Sequence, residues 1–400
     1  MDNRDFIPAV RFCVASDTHI SEERSYGTER IAKILALAYE LSAKDNNYTA
    51  LDAAAFVGDL TDAGEERQYE MFFREIGSSL REGTKPLFIV AKGHDCNTMG
   101  KAALGFFNER TGLPTDFHYV INGFHYIGVS TCEDEGIYYN EKQRVLLKNA
   151  LDEAVADSPS KPVFVFHHEH VKRTVYGSSN FDGWGNDYFN DILFEYPQIV
   201  DFSGHSHYPL NDPRSIWQGE ITALGTGAAH YAEFTADGER RLHPEGFDET
   251  AQFFLVEADA ENNVRIRGYD ALNSALLCEY FIENPADKNA RQYTPAMQEA
   301  RAKAPYFKTD AKPVITKGAG KTAIRIPQAE SSDGEIIFAY RIVEKDSGGK
   351  ELSKRLIINK YWLANPGDIL YEIADENTVG VTVTAENAFG MKSEELDILI

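Results

Sequence analysis

The sequence contains no run of 18 or more apolar residues, so no segment of it reads as a membrane-spanning helix. It is short of positive charge: 40 Lys and Arg stand against 63 Asp and Glu, a formal net charge of −23. Nucleic-acid binding depends on cations that neutralise phosphates, which excludes duplex DNA as a large partner. Cysteine is scarce. The four copies, Cys13, Cys96, Cys132 and Cys278, are far apart and form no CxxC pair; most lie in or beside apolar strand-like runs, so they are expected to be mostly buried free thiols. Internal repeats and low-complexity tracts are absent. Gly225-Thr226-Gly227 lacks the full spacing of a dinucleotide or phosphate-loop fingerprint, so no nucleotide cofactor is expected. The opening Met1-Asp2-Asn3-Arg4-Asp5-Phe6 has no apolar leader region. Such a start suits a cytoplasmic protein or one whose signal peptide has been removed, and the extracytoplasmic reading is the expectation.

What is present is a folded chain. Its 400 residues suggest two or three domains at about 150 residues each. The 43% hydrophobic content, with 24 Phe and 20 Tyr, excludes disorder as a description of the whole. From residue 12 to about 270, apolar runs that end in polar clusters alternate with amphipathic segments, the pattern of an α/β domain. Strands are expected at 12–16, 53–57, 87–91, 125–130, 163–166, 199–202 and 221–224. Tyr69, Phe72, Phe73, Ile76 and Leu80 recur at helical spacing, as do Leu147, Leu151 and Val155, and both sets read as core stripes. Residues 284–312 lose this patterning and read as a connection. Short β-like runs at 322–326, 336–343, 356–358, 379–385 and 396–400 follow, parted by turn signals such as Ser347-Gly348-Gly349-Lys350 and Asn365-Pro366-Gly367-Asp368. Residues 313–400 are therefore expected to form a small all-β sandwich.

Five polar clusters fall where strands of the first domain end: Asp17-Thr18-His19, Gly58-Asp59, Gly93-His94-Asp95, His167-His168 and Gly204-His205-Ser206-His207. In open α/β sheets that edge is where ligands bind. One Asp or His in such a place is usually a cap or a satisfied surface residue; the ordered set carries more information. Carboxylate and neutral imidazole ligate Zn, Mn or Fe, and D-x-H or H-x-H at a strand end can send alternate side chains toward one ion. Two ions about 3.5–4 Å apart with a bridging carboxylate need about seven such donors.

The set resembles the calcineurin-like metallophosphoesterase family, whose pattern runs D-x-H, G-D, G-N-H-D/E, H and G-H-x-H on successive strands. The resemblance covers about residues 10–270 and implies an α/β/β/α sandwich at residues 8–283. It further implies hydrolysis of a phosphate mono- or diester by a metal-bridging hydroxide, with a small-molecule phosphoester as substrate and two Mn, Fe or Zn ions as cofactors. By carry-over, Asp17, His19, Asp59 and His207 hold the first ion; Asp59 bridges to the second, which His167 and His205 complete. His167 is preferred to His168 because it directly follows the apolar run. His94 resembles the family histidine that contacts the phosphoryl group and protonates the leaving oxygen, with Asp95 orienting it; the alternative for Asp95 is a turn-forming residue. Gly93 stands where the family has an amide ligand, so the second ion is expected to be held more weakly, with water or Asn97 as a replacement donor. A tight backbone turn is the other explanation for Gly93.

His118, His125, His170, His230 and His243 lack ligand spacing and read as structural, although His230 could line the pocket. Glu133-Asp134-Glu135 reads as a solvated loop. Thr174 to Gly177 and the run Gly204 to Asp212 suggest a bacterial branch of the family. Val381-Thr382-Val383-Thr384-Ala385-Glu386-Asn387-Ala388-Phe389-Gly390 resembles a late strand and turn of fibronectin type III domains. A competing function is a degenerate phosphoesterase acting as a ligand-binding protein or scaffold, with the C-terminal domain attached to a partner or glycan.

Overall fold

A computed structural model describes residues 6–22, 26–131, 138–179, 181–318 and 320–400. Two six-stranded sheets lie at its centre. The first has the order β12-β11-β10-β1-β2-β3, from β1 (Pro8–Ala15), β2 (Ala53–Val57), β3 (Lys85–Ile89), β10 (Gln252–Asp259), β11 (Val264–Asp270) and β12 (Ala275–Ile282). Its β1, β2 and β3 are parallel, whereas β10 runs antiparallel to β1. The second has the order β8-β9-β7-β6-β5-β4, from β4 (Phe117–Ile121), β5 (Phe124–Gly128), β6 (Val163–Phe166), β7 (Ile199–Ser203), β8 (Ile216–Gln218) and β9 (Thr222–Gly225). Here β5, β6, β7 and β9 are parallel, and β4 and β8 close the edges antiparallel.

Parallel strands covered on both faces need side chains that are apolar throughout rather than alternating. Ala53-Ala54-Ala55-Phe56-Val57 and Val163-Phe164-Val165-Phe166 meet that need, and every residue in them is buried. Phe12, Phe164, Phe166, Phe202 and Phe254 fill the space between the sheets, with Phe12 edge-on to three of the others at 4.6–6.2 Å. Helices α1 (Tyr26–Ala43), α2 (Glu66–Ser79) and α3 (Ala102–Thr111) cover the outside of the first sheet through Ile34, Tyr69, Phe72 and Phe107. Helix α4 (Glu141–Asp157) packs on the second through Leu147 and Leu151. It starts at Asn140, whose side chain accepts from the Gln143 amide while Gln143 accepts from the Asn140 amide, a reciprocal cap. The layers are thus α/β/β/α, as expected.

This compact unit extends to Thr294 apart from Pro244–Gly246, which belong with Pro295–Ile400 to a second unit; the division falls inside the segment read as a connection. The second unit opens with a short helix at Pro295–Arg301 and is otherwise built of β-strands. A three-stranded and a four-stranded sheet bury Ile324, Tyr340, Ile342, Tyr371, Val381 and Val383.

Cys13 and Cys278 are free, and burial pushes both thiols up to about 12. Cys96 departs from the expectation, being disulfide-bonded. Cys132 and the Glu133-Asp134-Glu135 run lie outside the described residues.

Candidate metal centre

The C-terminal ends of β1, β2, β6 and β7 deliver buried Asp and His side chains to one place. Asp17, His19, Asp59 and His207 each offer a donor atom, all within 4.8 Å of one another, and Asp59, His168 and His205 form a second such group. The groups share Asp59. Its Oδ2 lies 3.1 Å from His168 Nε2 and 3.9 Å from His19 Nε2. His207 Nε2 is 3.1 Å from both Asp17 Oδ1 and His19 Nε2.

The backbone is bent to make this convergence. Asp17, His19, Asp59, His205 and His207 all have φ between 41° and 72°, the left-handed region that non-glycine residues seldom adopt. Such positions persist only where the surroundings over-determine them, at on the order of 1–3 kcal/mol each. Backbone bonds from Asp17 N to Gly58 O and from His19 N to Asp59 O hold the first loop to the second, and His205 N donates to the Asp17 carboxylate at 3.1 Å. Gly58 is required twice over: its φ is +83°, and a Cβ would lie 2.3 Å from His168 Nδ1. Gly58→Ala should therefore lower stability by on the order of 1–3 kcal/mol from the backbone alone, more with the steric overlap, measured as a drop in the thermal unfolding midpoint.

Electrostatics and proton positions suit a cation. His168 Nδ1–H donates to Val57 O at 2.9 Å, which turns Nε2 toward the Asp59 carboxylate 3.1 Å away. Burial lowers the pKa of the His168 ring, but the Asp59 charge outweighs it and holds it well above the ordinary value, so positive charge is favoured at Nε2, carried by a proton or by an ion in its place. Asp59 Oδ1 and His168 Nε2 are buried without a hydrogen-bond partner, a costly state for polar atoms that a coordinated ion relieves. Burial raises the Asp17 carboxyl, but the charges of His207 and then His168 outweigh it and bring the group to about 2. Burial, then the His168 charge, lowers His205 to about 4, so its ring is a neutral donor near pH 7.

Two expectations are corrected. His167 does not face the cluster; its Nε2 lies 2.7 Å from Asp201 Oδ1, and His168 takes its place beside Asp59. Successive residues leaving a strand point to opposite faces, so only one of two adjacent histidines can look into the site. Asp95 does not touch His94 either. Its carboxylate accepts from Thr61 N, Thr61 Oγ1 and Ala91 N, which fastens the loop after β2 to the loop after β3. Burial first, and then the Asp59 charge, push Asp95 up to about 7 against those backbone bonds.

His94 itself lies at the site, its ring edge-on to His19 at 4.3 Å and its side chain 44% exposed. The residue that orients it is Asp62, whose carbonyl accepts from His94 Nδ1–H at 2.6 Å and whose carboxylate is 3.4 Å from His19 Nδ1. Asp62 went unnoticed in the sequence, although its place three residues after Asp59 in Gly58-Asp59-Leu60-Thr61-Asp62 was a usable signal. His230 is buried 5.6 Å from the His19 ring and stacks on Tyr26, and Tyr231 lies 4.3 Å from His207. Asn97 is exposed, and its backbone N–H donates to His94 O.

The sequence model of the calcineurin-like phosphoesterases matches residues 10–209. The chain belongs to this family. No curated protein matches it. Among solved structures, this calcineurin-like phosphoesterase is similar to GAP50, the anchor in the inner membrane complex of Plasmodium, at 12% identity and TM-score 0.47 over 69% of this chain and 89% of that one. It is also similar to purple acid phosphatase PPD1 from yellow lupin (Lupinus luteus) seeds, at 12% identity and TM-score 0.48 over 69% of this chain and 55% of that one. Among the described residues, no helix is long and apolar enough to cross a membrane.

Proposed function

We propose that the protein is a dinuclear-metal phosphoesterase that hydrolyses a small phosphate mono- or diester. The observation that carries this reading is the sharing of Asp59 between two buried donor groups inside a calcineurin-like domain. Asp17, His19, Asp59 and His207 would hold one ion, and Asp59, His168 and His205 the other. When bound, such ions activate water and neutralise charge on a phosphoryl group. The chain's own residues do the rest. Asp62 orients the His94 ring by accepting from Nδ1–H, so Nε2 is the atom that meets the phosphoryl group; a ring protonated on Nε2 as well would give that second proton to the leaving oxygen and return to the Nδ1–H tautomer. Asp95 holds the loops that carry Asp59 and His94 in register. The cysteine engaged at Cys96 supports a location in an oxidising compartment, outside the reducing cytoplasm.

The test is hydrolysis of paired chromogenic phosphate mono- and diesters by protein stripped with chelator and then supplied with Mn²⁺. Mn²⁺-dependent turnover of either ester is expected; full activity in protein verified as metal-free would overturn the reading.

Gly93 gives a finer prediction. Its φ is not in the left-handed region, and a Cβ there would meet only Asp59 Oδ1, at 4.0 Å. A side chain therefore has room and points toward the shared carboxylate. The variant Gly93→Asn should supply the missing amide, tighten the weaker of two metal-binding steps by about 10–100-fold and lower the Mn²⁺ needed for half-maximal activity. Calorimetric titration of wild type and variant measures this; equal, tight steps in the wild type would contradict it.

A further inference from the structure

On the β4–β5 hairpin the segments Phe117-His118-Tyr119 and Phe124-His125-Tyr126 echo each other. The hairpin register pairs Val120 with His125 and His118 with Ile127, which places the two histidines as diagonal neighbours on one face of the sheet. That face carries α4, whose Glu153 and Asp157 are one turn apart and project toward the hairpin. His118 Nε2 and His125 Nδ1 approach to 2.8 Å. The rings are inclined at 23° with centroids 5.1 Å apart, so the two nitrogens point at each other nearly in plane. His118 Nδ1 is 3.8 Å from Glu153 Oε2, and His125 Nε2 is 3.1 Å from Asp157 Oδ2. His118, His125 and Glu153 each offer one donor atom within 4.8 Å of the others.

We propose that this hairpin–helix junction is a separate divalent-metal site of the Zn²⁺, Ni²⁺ or Cu²⁺ class, with His118, His125 and Glu153 as ligands. Imidazole nitrogen with one carboxylate is the donor set those ions prefer, and solvent completes the shell at a partly exposed position. Asp157 is a positioning residue: by accepting from His125 Nε2–H it fixes the tautomer whose Nδ1 lone pair faces His118. The ion takes the place of the proton between the two rings. The approach of these nitrogens resembles that of His19 Nε2 and His207 Nε2, 3.1 Å apart in the buried centre. The nearby cation Lys161 is turned away, its Nζ donating to Gly123 O. The bound ion would clip the hairpin to the last turn of α4. It is independent of the proposed hydrolysis, since none of its residues belongs to the cluster around Asp59.

The test uses the full chain, stripped of metal and titrated with Cu²⁺ while electron paramagnetic resonance is recorded. The expected result is a bound equivalent with hyperfine coupling to two imidazole nitrogens, which disappears in His118→Gln and binds at least 10-fold more weakly in Glu153→Gln. Glu153 is 65% exposed, so that variant keeps the fold even if His118→Gln does not. The complementary count is Zn²⁺ per chain, expected to fall by one in either variant and to keep that equivalent in Asp59→Ala. Unchanged spectra and counts in both variants would overturn the proposal, and so would a wild type whose only copper signal is lost with Asp59.

Discussion

Replacing Asp59 by Ala is expected to lower kcat/KM by at least about 10³-fold and to abolish binding of both ions at the buried centre. The magnitude follows from charge stabilisation worth several kcal/mol in metal-assisted phosphoryl transfer, at about 1.4 kcal/mol per factor of ten. The choice of Asp59 follows from geometry. It is the one residue common to both donor groups, and its Oδ2 is within 4 Å of His19 Nε2 and His168 Nε2. A second readout separates loss of metal from loss of fold. Wild-type protein at 100-fold excess of metal over its Kd should gain about 2.7 kcal/mol of stability from each independent site, and the variant should gain nothing from this centre. Retention of two tightly held ions there after the substitution would show that Asp59 is not the bridge.

His168→Ala and His167→Ala should fail in opposite ways. Loss of His168 removes a donor from the second group as well as a buried ring that donates to Val57 O, so activity and one metal equivalent are expected to fall together, with some loss of stability. Loss of His167 leaves Asp201, a fully buried carboxylate 2.7 Å from the missing ring, without its partner. Breaking a buried pair in this way costs about 3–5 kcal/mol, so this variant should unfold at much lower temperature or denaturant while the molecules that remain folded keep their metal and turnover. Chemical denaturation and metal counting on the two purified variants distinguish them. If His167→Ala loses metal and His168→Ala does not, the assignment is reversed.

Much of the frame was legible because buried parallel strands announce themselves as short, unbroken apolar runs. The expected strands at 53–57 and 163–166 coincide with β2 and β6. The antiparallel half of the first sheet was not named: Gln252–Asp259 is buried over all eight residues and lies beside β1 from the far end of the domain, a pairing that no local pattern encodes. The same limit applies within the site. Residues that belong to spaced motifs, such as Asp17 with His19 and His205 with His207, could be read from the order of the motifs along the chain, although left-handed turns beyond the strand ends, rather than strand alternation, aim them. Adjacent residues were misjudged for the converse reason. His167 and His168 differ only in parity, and an apolar run marks where a strand ends without saying which of the next two side chains faces the site. His94 and Asp95 are neighbours in sequence but face different partners, the Asp62 carbonyl and the Thr61 and Ala91 amides. The disulfide at Cys96 was invisible for a simpler reason, since no spacing marks a bridge between distant segments.

The measurement that tests the central claim most directly is anomalous X-ray scattering at the manganese edge from crystals of the full chain equilibrated with Mn²⁺. Two peaks about 3.5–4 Å apart are predicted, flanking the Asp59 carboxylate, one within coordination distance of Asp17, His19 and His207 and the other of His168 and His205. A single peak, or two peaks that do not share Asp59, would contradict the account.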